Sequence, residues 1–206
     1  MKHRLRQQPI LDYKLWRRNI TICGVDEAGR GALAGPVVAA AVILPKFIKL
    51  AGVRDSKELT PNQRQKLFAE IKAKAISFGI GIVNHRWIDK INIRNASFRA
   101  MKKAISQLDY KPDLILVDGF KIPDLPIKNR GVVKGDKKSL SVASASILAK
   151  VIRDEIMTKF HQYFPEYNFK QHKGYPTQKH LKILKSLGPC PIHRQSYGPV
   201  RACLNR

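Results

Sequence analysis

Ile20-Thr21-Ile22-Cys23-Gly24-Val25-Asp26-Glu27 decides how the chain reads: an apolar stretch from Ile20 to Val25 has the composition of a strand and runs straight into two acids. Beyond them, Gly29-Arg30-Gly31 reads as a turn, and Val37 to Leu44 is a continuous apolar run bounded by Pro36 and Pro45, as a buried strand would be. Phe78 to Val83 and Leu114 to Val117 are further strand candidates, the latter ending in Asp118-Gly119, and Val132-Val133 marks another short one. Helical signals fall between and after these. Thr60-Pro61-Asn62-Gln63 is a helix start with a cap, a proline at the first position and a capping-box glutamine, followed by Leu67, Phe68, Ile71 and Ala75 on one face. The segment Ile88 to Leu108 contains a second helix, Ser139 to Tyr163 is a third, and Thr177 to Leu187, closed by Gly188-Pro189, is a fourth. Strands first, then strands alternating with helices, predict a single α/β domain with a mixed sheet and a helical C-terminal portion.

The charge is the loudest global feature. Thirty-nine Lys and Arg against fifteen Asp and Glu give a formal net charge of +24. Such a field attracts polyanions, nucleic acid first and an anionic membrane surface second, although a basic face can also serve solubility alone. Hydrophobic residues at 44% exclude a disordered or fibrous chain. Cys23, Cys190 and Cys203 are far apart, without a CxxC pair, which suits a reducing cytoplasm rather than a zinc ribbon. The Pro36–Pro45 run is too short to span a membrane. Residues 1–18, with Lys2, Arg4, Arg6, Lys14, Arg17 and Arg18, are expected to form a basic N-terminal arm ahead of a domain at 19–206.

In so basic a chain, acids at strand ends stand out. Asp26 and Glu27 end the first strand, Asp118 ends the Leu114–Val117 strand, and Asp136 follows Val132-Val133 just before a helix. If the strands are neighbours, these carboxylates meet at one sheet edge, where mutual repulsion calls for a cation. An all-oxygen set points to Mg²⁺ or Mn²⁺, and the chemistry that fits is two-metal phosphodiester hydrolysis. Alternation along a strand sends Asp26 and Glu27 to opposite faces. Either the chain bends at Glu27, or Glu27 acts through its backbone carbonyl or a water; Asp26 is the safer ligand.

Taken together, these segments resemble ribonuclease HII. The blocks are Gly24-Val25-Asp26-Glu27-Ala28-Gly29-Arg30-Gly31 with Gly35-Pro36-Val37; Asp55-Ser56-Lys57-Glu58-Leu59-Thr60; Val117-Asp118-Gly119; Lys134-Gly135-Asp136 with Ser141 to Ile147 and Ala149 to Asp154; His172-Lys173-Gly174-Tyr175-Pro176-Thr177 with His180; and His193 to Pro199. The resemblance implies a ribonuclease H-like mixed sheet flanked by helices with a helical C-terminal extension. It implies that Asp26, Glu27, Asp118 and Asp136 are the catalytic, metal-binding acids, that Gly29, Arg30 and Gly31 read the 2′-OH at a ribonucleotide–DNA junction, that Tyr175 stacks beside the junction sugar, and that Lys57 contacts phosphate. The implied substrates are RNA–DNA hybrid and duplex DNA containing ribonucleotides, cut 5′ of the ribonucleotide to leave 3′-hydroxyl and 5′-phosphate ends. The short stretch before Asp26 has no room for the N-terminal domain of ribonuclease HIII, so a monomer of the HII type is expected.

Two other readings stand beside this one. A non-catalytic basic nucleic-acid-binding protein accounts for the charge but leaves the placement of the acids unexplained. A metal nuclease on a related fold would cut continuous hybrid or branched DNA. Among the remaining polar residues, Asp154 is expected to pair with a nearby base, Asp55 to support a turn, and His172, His180 and His193 to be structural or phosphate-facing. Phe120, after Asp118-Gly119, departs from the small polar residue expected there.

Overall fold

A computed structural model of the chain describes residues 10–53, 56 and 59–204. Asp55 and Lys57 lie outside the described residues. The elements are α1 (Ile10–Trp16), β1 (Ile22–Ala28), β2 (Val37–Ile43), α2 (Pro61–Lys74), β3 (Ser77–Val83), α3 (His85–Ile105), β4 (Leu114–Asp118), β5 (Asn129–Val132), α4 (Gly135–Lys138), α5 (Leu140–Tyr163), α6 (Phe169–His172), α7 (Gln178–Leu187) and α8 (Gly198–Leu204), with a 3-10 turn at Pro165–Tyr167. The strands form one sheet in the order β3-β2-β1-β4-β5. β1 and β3 lie antiparallel to β2, whereas β1, β4 and β5 run parallel. This is the mixed, helix-flanked sheet that the sequence predicts.

Alternation along the strands divides the core in two. Ile22, Ala40, Val42 and Leu116 face α5, where Val142, Ala145, Leu148 and Ala149 meet them. Cys23, Val25, Ala39, Ala41, Ile115 and Val117 face α3, against Ala96, Ala100 and Ala104. β2 is buried along its whole length, which is why its sequence is unbroken apolar rather than alternating. Small side chains on both partners bring the helices close. At Gly24 the approach is closest: a Cβ there would lie 2.1 Å from the carbonyl carbon of Ser141 at the start of α5.

The first turn of α5 is held from a distance in sequence. The Ser139 hydroxyl accepts from the Val142 N–H at 3.2 Å, and Asp12 of α1 accepts from both the N–H and the hydroxyl of Ser141 at 2.8 Å. Trp16 is 2% exposed, with its ring 5.4 Å from Tyr13 and 5.9 Å from Phe47. The expectation of a basic arm over residues 1–18 therefore changes: residues 10–16 are a helix docked on the core, because Trp16 and Asp12 find partners that no local pattern announces, and residues 1–9 lie outside the described residues. In α3 the backbone turns left-handed at Asn92 (φ 61°), whose side chain accepts from the Asn95 N–H at 3.1 Å and starts the helix anew.

Gly24→Ala tests the β1–α5 contact. With backbone on the other side, nothing soft can give way, so overpacking is expected to cost roughly 1–3 kcal/mol or more. Urea unfolding should show a lower midpoint with an unchanged slope; an unaltered midpoint would show that α5 can retreat freely.

Candidate active site

Pairing between β1 and β4 ends at Val25 and Val117, so Asp26 and Asp118 are the next residues of two adjacent parallel strands. Both fall on the α5 face, in step with Gly24 and Leu116. They open onto a cavity of about 560 Å³ lined also by Glu27, Gly29, Arg30, Gly31, Ser56, Asp136, Ser146, Lys150 and Tyr175. All four predicted acids, the predicted tripeptide and the predicted tyrosine thus border one space.

The bend considered at Glu27 is absent. β1 continues regularly through Ala28, opposite Val38 of β2, and Glu27 takes the other face of the strand. There its carboxylate meets the Arg30 guanidinium at 3.2 Å. It borders the same cavity because β4 stops at Asp118, leaving the sheet edge beside it open. Asp26 accepts the Glu27 N–H at 2.7 Å, and Asp118 accepts the Gly135 N–H at 2.7 Å, which ties the end of β4 to the start of α4 and sets Asp136 on the rim.

Burial pushes the Asp26 carboxyl well above its ordinary value, and the nearby charges of Glu27 and Asp118 push it further. Glu27 is also raised, by burial first, against the opposing pull of Arg30. These are carboxylates short of positive charge inside a chain of net +24. Among the described residues, no three acids, histidines or cysteines close on a single point. The acids ring the cavity instead. Such a spread oxygen set fits a hard divalent ion of the Mg²⁺ kind, which keeps several waters and takes its remaining ligands from a phosphate. It does not fit the closed tetrahedral set of a structural zinc.

Two buried arginines fix the turn that lines the cavity with the acids. Arg194, 0% exposed, donates to the carbonyls of Gly29 (2.7 Å), Arg30 (2.9 Å), Gly35 (3.1 Å) and Pro36 (3.2 Å). Arg153, also 0% exposed, donates to the carbonyls of Ala34, Pro36 and Lys173. The Tyr197 hydroxyl adds a bond to the Arg30 carbonyl at 2.8 Å. The carbonyls of the turn are thereby drawn inward, and Gly31 stands in open space at the cavity mouth. Gly29 (φ 98°) has no room for a side chain: a Cβ would sit 2.0 Å from Nε of Arg153. Tyr175 lies with the Arg153 guanidinium 5.1 Å and the Lys150 ammonium 5.3 Å from its ring centre. Sequence spacing gave no role to Arg153, Arg194, Lys150, Ser56 or Ser146; the guanidinium partners are carbonyls, which leave no side-chain signature.

The three histidines are structural. His172, His180 and His193 are all buried around Phe169, with the His172 and His180 rings stacked at 4.2 Å. Backbone donors and acceptors leave one proton arrangement. The Cys190 N–H donates to Nδ1 of His193 (3.0 Å), Nε2–H of His193 to Nε2 of His180 (3.0 Å), and Nδ1–H of His180 to the Tyr175 carbonyl (2.9 Å). The Gly174 N–H donates to Nδ1 of His172, whose Nε2–H donates to the Tyr167 carbonyl. Burial lowers all three, His172 and His193 to about 4. Asp154, as expected, pairs with Lys150 at 2.7 Å and faces Arg64 at 3.9 Å.

Two outcomes follow. In long-range ¹H–¹⁵N spectra at pH 6, His180 should show the Nδ1–H tautomer and His172 and His193 the Nε2–H tautomer, all neutral; a charged imidazole among them at that pH overturns the chain. Asp26→Asn should make the metal-free protein more stable at neutral pH, by about 2–4 °C per kcal/mol of relieved repulsion. The sign follows from linkage: a carboxyl raised in the folded state favours folding while protonated and loses that contribution as pH climbs through its folded value. The gap in melting temperature between variant and wild type should therefore close as pH falls towards 4, and a less stable variant at pH 7 contradicts the repulsion.

Comparison with known proteins agrees with this geometry. The family profile described as Ribonuclease HII matches residues 23–200. A Ribonuclease HII of Caldanaerobacter subterraneus subsp. tengcongensis is 54% identical over 195 residues, covering 94% of this chain and 81% of that protein. One from Caldicellulosiruptor saccharolyticus is 54% identical over 176 residues, 85% of this chain and 86% of its own. The crystal structure of the ribonuclease H2 from Pyrococcus horikoshii OT3 superposes with a TM-score of 0.76 at 28% identity, covering 91% and 98% of the two chains. The chain belongs to the ribonuclease HII family, endonucleases that degrade the RNA of RNA–DNA hybrids and leave 5′-phosphate products.

Proposed function

We propose that this ribonuclease also cuts duplex DNA at single embedded ribonucleotides, on their 5′ side, leaving a 3′-hydroxyl and a 5′-phosphate. The observation that carries the reading is that one cavity is lined both by the acids Asp26, Glu27, Asp118 and Asp136 and by Gly29, Arg30, Gly31 and Tyr175. The acids supply hydrolysis, and the tripeptide and the aromatic ring supply a means of reading a sugar. The 2′-hydroxyl is what separates RNA from DNA at a given position, and glycine backbone leaves space for close approach to it. Tyr175 offers a ring face for stacking, stiffened by the cations beside it.

Asp26, Glu27, Asp118 and Asp136 would hold Mg²⁺ or Mn²⁺. Bound there, such ions would supply an activated water and stabilisation of the leaving oxygen. The chain's own groups do the rest. Arg30 restrains Glu27, the Glu27 N–H orients Asp26, and the Gly135 N–H orients Asp118. Arg194 holds the carbonyls of Gly29 and Arg30, and Arg153 those of Ala34 and Pro36 further along the same turn, so the sugar-reading surface is formed before substrate arrives. We infer a monomer acting in the cytoplasm; the free thiols of Cys23, Cys190 and Cys203 support the compartment. Among the described residues, no helix is long and apolar enough to cross a membrane.

The test is a DNA duplex carrying one ribonucleotide, incubated with Mg²⁺ or Mn²⁺ beside an all-DNA control and Asp118→Asn. A single metal-dependent nick 5′ of the ribonucleotide is expected, with none in the control or the variant; cleavage confined to long hybrid would overturn the junction reading. Binding should also be steeply salt-dependent, the logarithm of affinity falling against the logarithm of salt by about 0.9 for each phosphate contacted. A flat response removes the phosphate-tracking surface.

A further inference from the structure

A second cavity, of about 770 Å³, lies beside the first between α2, α5 and α6, and the two share Lys150 and Tyr175 as a common wall. Among the described residues, its lining holds five cations, Arg64, Lys150, Lys159, Lys170 and Lys173, against two acids, Asp154 and Glu155. Asp154 is already engaged. It holds Lys150 at 2.7 Å and faces Arg64 at 3.9 Å, and Arg64 spends Nη1 on the carbonyls of Ser56 and Leu59. Lys173 is turned by bonds to the Thr158 hydroxyl and the Lys170 carbonyl, both 2.8 Å. Burial, and then the like charges of Lys150, Lys170 and Arg153, lower the Lys173 ammonium in spite of Asp154. Cations gathered in a recess with too little anion to neutralise them are poised for an anion from outside.

Resting on the embedded-ribonucleotide reading, we propose that this second cavity is a phosphate subsite for the cleaved strand, gripping a phosphodiester within a few nucleotides of the scissile one through Lys159, Lys170 and Lys173. The shared wall is the argument for this occupant. A sugar stacked on Tyr175 lies at the boundary between the cavities, so the chain of nucleotides leaving the carboxylates on that side must pass over the basic recess. Lys150 would serve both cavities, its ammonium 5.3 Å from the Tyr175 ring on one side and tethered by Asp154 on the other. The grip would fix the strand's register, so that the 2′-hydroxyl meets the Gly29–Gly31 turn.

Methylphosphonate interference tests this. Duplexes with one ribonucleotide and one uncharged methylphosphonate, stepped along the cleaved strand, are bound in Ca²⁺ and read by fluorescence anisotropy. The full-length wild type is compared with Lys159→Gln/Lys170→Gln, whose changed side chains are exposed and spare the core. The wild type should weaken at one or two phosphates besides the scissile one. The double variant should bind roughly two- to fivefold more weakly per lost cation. It should be indifferent to methylphosphonate at those same phosphates, with a salt slope smaller by about 0.9 for each phosphate whose contact is lost. An unchanged interference pattern in the variant overturns the subsite. Nicking of the unmodified duplex by the wild type, read in parallel, keeps that result separate from a failure of the junction reading itself.

Discussion

Arg194 and Arg153 hold the molecule's functional face together, and they do so without a carboxylate between them. Each is fully buried and donates to carbonyls of the turn between β1 and β2, Arg153 reaching Lys173 as well. Burying a guanidinium costs several kcal/mol of desolvation unless its hydrogen-bonding geometry is complete. Here the turn supplies that geometry, and in exchange it loses its freedom. Because Arg194 follows α7 and Arg153 lies in α5, the same bonds join the sheet, the long central helix and the C-terminal helices. Removing either arginine would orphan several buried carbonyls at once, so its loss would be felt in both stability and the shape of the site.

The opposite electrostatic choice is made a few ångströms away. Asp26 and Glu27 are buried, raised by burial and, for Asp26, by one another's charge, although the chain carries cations in abundance. Arg30 reaches an acid at the site, Glu27, while the two buried arginines are committed to the backbone. The donors of the two buried arginines are thus spent on carbonyls and not on Asp26. The repulsion that remains is a cost to stability at neutral pH, and a cation is what would relieve it.

Much of this was legible in the sequence, for identifiable reasons. Asp26, Asp118 and Asp136 announce themselves because an acid after an apolar strand run marks the sheet's edge, and parallel neighbours bring such edges together. The cap at Thr60 and the capping-box bond from Gln63 are local, and both are present. What was not legible is long-range. Asp12 meets Ser141 at a separation of 129 residues, and Trp16 docks against Phe47, so a stretch that reads as a basic arm contains an anchored helix. The arginine–carbonyl bonds of Arg194 span as many as 165 residues and involve no complementary side chain. Histidine spacing excluded a metal motif but could not reveal that the imidazoles form a directed chain ending on the Tyr175 carbonyl.

Strand alternation, which sends Asp26 and Glu27 to opposite faces, is reconciled with a shared cavity by where the neighbouring strand stops. β1 stays regular and sends the two acids to opposite faces, yet β4 ends at Asp118 and offers no further residue beside Glu27. At that open end the faces of the sheet cease to be separate compartments. The same open end admits the Gly29–Gly31 turn and, through Gly135, the start of α4. Staggering the strand ends therefore accomplishes what a bend in β1 would have done, without giving up the β1–β2 hydrogen bonds that run on to Ala28 and Val38. A regular strand is also the stiffer support, which suits carboxylates that must hold their places against mutual repulsion.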